Sequence, residues 1–508
     1  MSRYIQHSNQ PPTNLDAVAE DIKTALMVAV SQCYSQTQHF SGTVYTGLAG
    51  RVLMKYYLSS LPLPHEELNA RTSLWSVQDL RAGGDRDIVL ILESTPERTW
   101  KVHDASRIAF LETNVGVAAL GLCRALEGSE DLLKHWERCA QLLQQALEHV
   151  YAEARSLGGG EDGCEILYGR AGFLYALLLV RKTVIRVRGG SDPALPPPLV
   201  QSAEGLVADD SIRAVVSDIV RCGEIGARRY ATRLASAGSA DNTAGPPLMW
   251  SWFDTRYLGA AHGVAGILQV LWSCPAAVIA PYLPRMLETV QWLLGRQDST
   301  GNWPAEVSIS LNQVQENELI QWCHGAPGMV ILLSNILQWS RAHTQHAHVL
   351  DPALHETLAT SLRAGTQLVY QHGLLRKGLG LCHGVAGSVY TLLAASDALD
   401  LDVDSGQDVG TQWQYLRWAI HLAHLATNHT LLVARGEMGV PDHPLSLYEG
   451  LAGMCCAWAL VLCRISRLQL RSGDGDAVAG KRAVVMGSGH GMPGYDGLGW
   501  EGGVYRLN

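Results

Sequence analysis

A short small-residue motif, Gly-x-x-Gly or a near equivalent, recurs seven times along the chain, and nothing else limits its possible folds so strongly. It is read in "VYTGLAG" (44–50), "ETNVGVAALG" (112–121), "ILYGRAG" (166–172), "GAAHGVAG" (259–266), "QWCHGAPG" (321–328), "GLCHGVAG" (380–387) and "SLYEGLAG" (446–453). The leading glycines are Gly47, Gly116 (with Ala119 in the second place), Gly169, Gly263, Gly325, Gly384 and Gly450, at intervals of 69, 53, 94, 62, 59 and 66 residues. A period of this size marks units that bury their apolar faces only against one another. The interval of 94 holds two Pro-, Gly- and Ser-rich stretches, 188–205 and 235–247, which read as surface loop insertions in one repeat.

Each motif precedes an apolar run at helical spacing, such as Met329, Leu332, Leu333, Ile336 and Leu337, or Val389, Leu392 and Leu393. Pro327 fits the first turn of such a helix, where a missing N–H costs nothing. Between motifs lie amphipathic segments, clearest in 132–154, where Leu132, Trp136, Cys139, Leu143, Leu147 and Val150 form one stripe. A repeat is therefore two helices. Seven pairs bury each other best by stacking and closing, which predicts an all-α, double α-toroid (α/α barrel): an inner ring of motif helices wrapped by an outer ring. The whole chain, 1–508, reads as one such domain, with 470–508 as a C-terminal tail; "DIVLILES" (87–94) is the one segment with the character of a short strand.

With 47% apolar residues, the 508-residue chain has enough apolar matter for a large core. Its net charge of -9 argues against nucleic acid as a partner. The longest apolar runs, 172–180 and 451–463, are short for a bilayer, so no transmembrane segment is expected. The opening residues lack the apolar core of a signal peptide; the cytoplasm is the expected location, with the nucleus or a peripheral seat on a membrane as variants. The eleven cysteines are then thiols, most of them packing in the core.

The chemistry is concentrated late. Just before the leading glycine stand Thr46, Val115 and Tyr168 in the first three motifs, then His262, His324, His383 and Glu449. If the inner helix starts share one end of the ring, Cys323 meets Cys382 and His383. Two thiolates and an imidazole suit a zinc ion, one per chain, with a fourth position left for substrate, as in catalytic sites. Helix N-termini also favour thiolates. The competing reading makes both cysteines packing residues. His262, preceded by Ala261 rather than cysteine, is free for proton transfer, and His324 is a second acid–base candidate.

"YLGAAHGVAG", "QWCHGAPG", "KGLGLCHGVAG" and "SLYEGLAG", in that order over the C-terminal half, resemble the eukaryotic lanthionine synthetase C-like proteins. The weaker repeats and the "SRYIQHSN" start extend the likeness to nearly the full chain. The resemblance implies a seven-fold α-toroid, zinc on Cys323, Cys382 and His383, and glutathione with its thiol on the metal. It implies addition of glutathione to dehydroalanine or dehydrobutyrine in proteins or peptides, with phosphate elimination from phospho-Ser or phospho-Thr as a possible prior step. His262 matches the family's acid–base histidine. Lys377 matches a lysine that contacts glutathione and is placed with the catalytic set; Asp442 matches a holder of the tripeptide's ammonium, and Arg3 a phosphate-recognising arginine. Leu319 and His324 depart from the bacterial cyclases, which carry arginine and tyrosine there, and Gly439 replaces an arginine of animal members. The alternative within the family is a glutathione- or small-ligand-binding regulator without turnover.

Overall fold

The structure, a computed structural model, describes residues 2–35, 41–63, 68, 76–155, 160, 162–189, 195–236, 245–307, 318–343, 350–400, 413–473 and 491–498. Every extended element among them is helical, apart from three isolated bridges. The motif helices are α2 (Leu48–Ser60), α4 (Asn114–Leu126), α6 (Arg170–Arg188), α9 (Val264–Trp272), α11 (Ala326–Ala342), α13 (Val385–Leu399) and α15 (Leu451–Gly473). Between them run α1 (Leu15–Ser35), α3 (Val77–Ser94), α5 (Trp136–Arg155), α7 (Pro197–Leu206), α8 (Asp209–Ser236), α10 (Leu283–Leu294), α12 (Pro352–His372) and α14 (Gln414–Leu425). Each motif helix packs on the next in chain order, and α15 packs back on α2, so the neighbours form a closed cycle. Six of the seven also pack on a long companion: α2 on α3, α4 on α5, α6 on α8, α11 on α12, α13 on α14 and α15 on α1.

The sequence explains the individual elements. Helix α12 begins with Asp351 accepting from the Leu354 N–H and with Pro352 in the first turn, both stabilising a helix start. Ser76 caps α3 in the same way, accepting from the Asp79 N–H. That helix runs through 87–94, where a strand was expected: Leu80, Ile88, Ile91 and Leu92 recur at helical spacing and all face the core. The stretch 188–205 also departs from the loop expected there. Residues 197–205 lie in α7, started by Pro197 and Pro198 and anchored by buried Leu199 and Ala203. Of 235–247, residues 235–236 end α8 and 237–244 lie outside the described residues.

Helix α15 is longer than its apolar core suggested, and Leu451–Gln469 has the length and composition to cross a membrane. Of the residues in that stretch 78% are buried inside the protein, as in a core helix. In the segment 470–508, residues 470–473 finish α15, and 491–498 pack inside the cycle with Met492 and Tyr495 buried. The Tyr495 ring meets Trp322 edge-on at 5.0 Å, Tyr448 donates to the Pro493 carbonyl at 3.0 Å, and the Gly494 N–H donates to the Tyr175 hydroxyl at 3.1 Å. The rest, 474–490 and 499–508, lies outside the described residues.

A belt of backbone hydrogen bonds joins the segments that lead into the seven motif helices. Tyr45 donates to Leu111, Glu112 to Leu167, Ile166 to Ala261, Ala261 to Cys323, Cys323 to Cys382, Cys382 to Tyr448, and Tyr448 to Tyr45. Backbones this close leave no room for side chains at certain positions. A Cβ on Gly259 would lie 2.1 Å from the Cys323 carbonyl oxygen, and one on Gly380 2.3 Å from that of Tyr448. Because backbone cannot swing aside as a flexible side chain does, Gly259→Ala is expected to cost about 3 kcal/mol in chemical denaturation, at the high end for overpacking.

Candidate metal and acid–base site

The belt fixes the register of the repeats and corrects one of them. Gly47, Gly169, Gly263, Gly325 and Gly384 each stand at the N-cap of the motif helix they precede, and the N-cap of α4 is Thr113, so Gly116, three residues on, holds the second glycine place. The first place in that repeat belongs to Thr113, whose hydroxyl caps α4 by accepting from the Val115 N–H. The residue before it is thus Glu112, where the sequence pattern had pointed to Val115.

In the corrected register two positions alternate around the whole cycle. Two residues before the first place stand Tyr45, Leu111, Leu167, Ala261, Cys323, Cys382 and Tyr448, all buried. One residue before it stand Thr46, Glu112, Tyr168, His262, His324, His383 and Glu449, all half-buried. One end of the cycle therefore presents a lining of hydroxyl, carboxyl, phenol and imidazole groups over a layer that includes both expected thiols.

Cys323, Cys382 and His383 come together as expected, their ligand atoms all within 4.8 Å of one another. Among the described residues the group stops at three, one short of a tetrahedral set. Ligand atoms of a tetrahedral site with sulfur bonds near 2.3 Å lie about 3.8 Å apart, so side-chain adjustments of about 1 Å bring them onto an ion. The two thiols and one imidazole fit a soft or borderline cation. Burial pushes the Cys382 thiol well up, reinforced by the neighbouring Cys323 and opposed by His383. A bound cation would reverse that cost. Cys323 donates to the Gln321 side-chain oxygen at 3.5 Å, and Tyr45 stacks on Tyr448 at 4.8 Å beside Cys382.

His262 is held by a carboxylate absent from the sequence expectations. Its Nδ1 lies 3.2 Å from Glu165 Oε2, and Glu165 is 1% exposed. The backbone N–H groups of Leu167 and Tyr168 donate to the same carboxylate at 2.6 and 2.7 Å. A carboxylate so anchored accepts, which puts the proton of neutral His262 on Nδ1 and leaves Nε2 with a lone pair. His324 is kept neutral: burial, helped by His262 and Lys377, lowers it to about 4, and its Nδ1 is buried with no hydrogen-bond partner. The Tyr257 ring lies 5.7 Å from His262 and 5.5 Å from His324, so both expected acid–base groups share one part of the lining.

The three other expected residues sit on an outer lip. Residues 3–5 run antiparallel to 374–376, with Ile5 donating to Leu374 and Arg376 to Arg3. Gly439 donates to Arg376, which ties the loop carrying Asp442 to the same lip. Lys377 and Asp442 are exposed, and the Arg3 guanidinium pairs with Glu318 at 3.0 Å.

Fold and site together define an all-helical protein whose repeats converge on a thiol–imidazole group able to hold a metal ion, beside a carboxylate-held histidine. A model of lanthionine synthetase C-like proteins matches residues 38–466, and the chain belongs to that family. It is 30% identical over 315 residues to LanC-like protein GCL1 of Arabidopsis thaliana and 26% identical over 298 residues to glutathione S-transferase LANCL1 of Danio rerio. The matches cover 60% and 58% of this chain and 58% of each relative, which is less than two thirds of their length.

Burial raises Glu112 from 4.5 to about 7, with Glu449 and Glu165 adding to the rise and a hydrogen bond from Thr43 opposing it. Since the folded value lies above the ordinary one, ionising Glu112 weakens folding: its contribution is full below about 4.5 and is lost as pH rises through about 7. Carboxyl carbon NMR should find Glu112 titrating near 7 and moving down in Glu449→Gln, where one repelling charge is gone.

Proposed function

We propose that the protein is a zinc-dependent enzyme, with one zinc per chain on Cys323, Cys382 and His383, that adds the thiol of glutathione to dehydroalanine or dehydrobutyrine in polypeptides. The observation that carries this reading is the convergence of two buried thiols with an imidazole of the half-buried lining that also holds His262, fixed by Glu165. The glutathione S-transferase name of the Danio rerio relative supports glutathione as the thiol. A zinc ion bound there would lower the pKa of a thiol completing its coordination, so that a thiolate exists at neutral pH.

The chain's own residues supply the rest. When a thiolate sulfur bonds to the β-carbon of a dehydroamino acid, the double-bond pair moves toward the α-carbon and its carbonyl. A proton must then reach the α-carbon. His262 is suited to deliver it from Nε2, because Glu165 holds Nδ1 and stabilises the protonated ring before transfer. Neutral His324 offers a hydrogen bond to the developing oxyanion or to the thiol without adding charge. On the outer lip, Lys377 pairs with a glutathione carboxylate and Asp442 with its ammonium. Arg3, once released from its exposed pair with Glu318, recognises phosphate on a phosphorylated precursor. A phosphorylated Ser or Thr would give the dehydroamino acid by losing its α-proton and phosphate, for which His262 Nε2 is again the available base.

Elemental analysis should find one zinc per chain in wild type and none in Cys323→Ala or Cys382→Ala; a folded, metal-free wild type that forms adduct would overturn the reading. His262→Gln should keep zinc and glutathione binding and lose about a hundredfold to a thousandfold in adduct formation, followed by mass spectrometry on a dehydroalanine peptide. Glutathione binding with no adduct in any variant, wild type included, would favour a regulator without turnover.

A further inference from the structure

The turn Trp252–Thr255 is built in a way that folding does not explain. Trp252 and Thr255 exchange both backbone hydrogen bonds, at 2.8 and 3.0 Å, across a two-residue turn whose central residues both have positive φ, 47° at Phe253 and 60° at Asp254. Such a turn favours glycine or asparagine, and a bulky aromatic at positive φ is strained. The ring gains nothing in return from the core, for Phe253 is 74% exposed, more than any other large apolar side chain among the described residues. Strain of this kind collects where function maintains it.

The turn adjoins the acid–base group directly. Trp252 contacts Phe253 edge-on at 4.7 Å, lies 5.6 Å from His262 with the rings 3° from parallel, and lies 5.4 Å from Tyr168 at 7°. Phe253 thus extends an aromatic surface that begins at His262 and runs outward to solvent. The next most exposed large apolar side chain, Val440 at 65%, lies on the lip beside Asp442. In the order of the cycle, the loops bearing Phe253 and Val440 bracket the two repeats that supply Cys323, Cys382 and His383. The other large exposed apolar side chains, Val28, Leu90, Ile185 and Leu431, lie on helices.

We propose that Phe253, backed by Trp252, forms a subsite for an apolar or aromatic side chain of the acceptor polypeptide, next to the residue that reacts at His262, with Val440 as the matching contact across the mouth. The inference rests on the reading of the site as one that modifies polypeptides. Glutathione, a small and strongly charged tripeptide, has no use for an exposed apolar ledge, whereas an extended chain crossing the mouth presents side chains on both sides of its reacting residue. The subsite makes the protein selective for acceptors with large apolar neighbours over a free dehydroamino acid.

The test uses Phe253→Asn, because asparagine tolerates positive φ and the variant should fold with a Tm at or above that of wild type. Acceptors are a dehydroalanine heptapeptide with leucine and phenylalanine around the reacting residue, the same peptide with serines there, and N-acetyl-dehydroalanine methylamide. Wild type should prefer the apolar peptide, and Phe253→Asn should reduce the ratio of kcat/KM for that peptide to kcat/KM for the single-residue acceptor about fivefold to tenfold. Calorimetric titration with the apolar peptide carrying alanine in place of dehydroalanine should show the same loss in affinity. An unchanged ratio and unchanged affinity in Phe253→Asn would overturn the subsite while leaving the enzymatic reading intact. If wild type forms no adduct with any acceptor, the enzymatic reading fails, and the alanine-peptide titration still decides whether the ledge binds polypeptide.

Discussion

The belt of backbone hydrogen bonds through Tyr45, Leu111, Leu167, Ala261, Cys323, Cys382 and Tyr448 is the constraint on which the structure depends. Helices alone would set the repeats side by side with some freedom of slide. Bonds between consecutive lead-in segments remove that freedom and bring residues from distant parts of the chain to a common level. One such bond is worth only about 1 kcal/mol net, but each fixes the register of the next repeat, and the last closes on the first. The paired small residues follow from this: they are the places where one backbone lies against another too closely for a Cβ, as at Gly259 against Cys323 and Gly380 against Tyr448.

The same belt sorts the side chains by chemistry. Because consecutive residues of a lead-in face different ways, one position is buried throughout and the next is half-buried throughout. At the first of these Cys382 is dry and hard to ionise alone, while the imidazoles at the second reach the partly exposed lining. A cation shared by Cys323, Cys382 and His383 would resolve that difficulty for Cys382. The carboxyl groups at this end of the cycle divide by how well they are satisfied. Glu165 accepts two backbone N–H groups and His262, whereas Glu112 faces Glu449 and Glu165 and is pushed toward neutrality.

Repeat spacing and two Cys-His pairs were enough to read the helical class, the helix starts and the gathering of Cys323, Cys382 and His383, because those features recur in the sequence itself. What the repeat disguised was less legible. Thr113 takes a glycine's place by capping α4 with its hydroxyl, which shifted the apparent register by three residues and hid Glu112. Glu165 faces His262 through a contact between neighbouring repeats that spacing does not encode. The run "DIVLILES" is apolar enough for a strand, and only its burial at positions 88, 91 and 92 together with Leu80 makes it helical. Pro197 and Pro198 signalled a loop but start a helix, and Phe253–Asp254 spells no recognised tight turn.

The proposed function requires an ion held by two thiols and an imidazole, with a coordination position that the thiol of glutathione could fill. X-ray absorption at the zinc edge of the purified protein, with and without glutathione, reads that coordination. Two sulfur neighbours and one nitrogen neighbour from the protein, at about 2.3 and about 2.0 Å, are expected, with one further sulfur when glutathione is added. An unchanged sulfur number on adding saturating glutathione, or zinc surrounded by nitrogen and oxygen alone, would contradict that requirement.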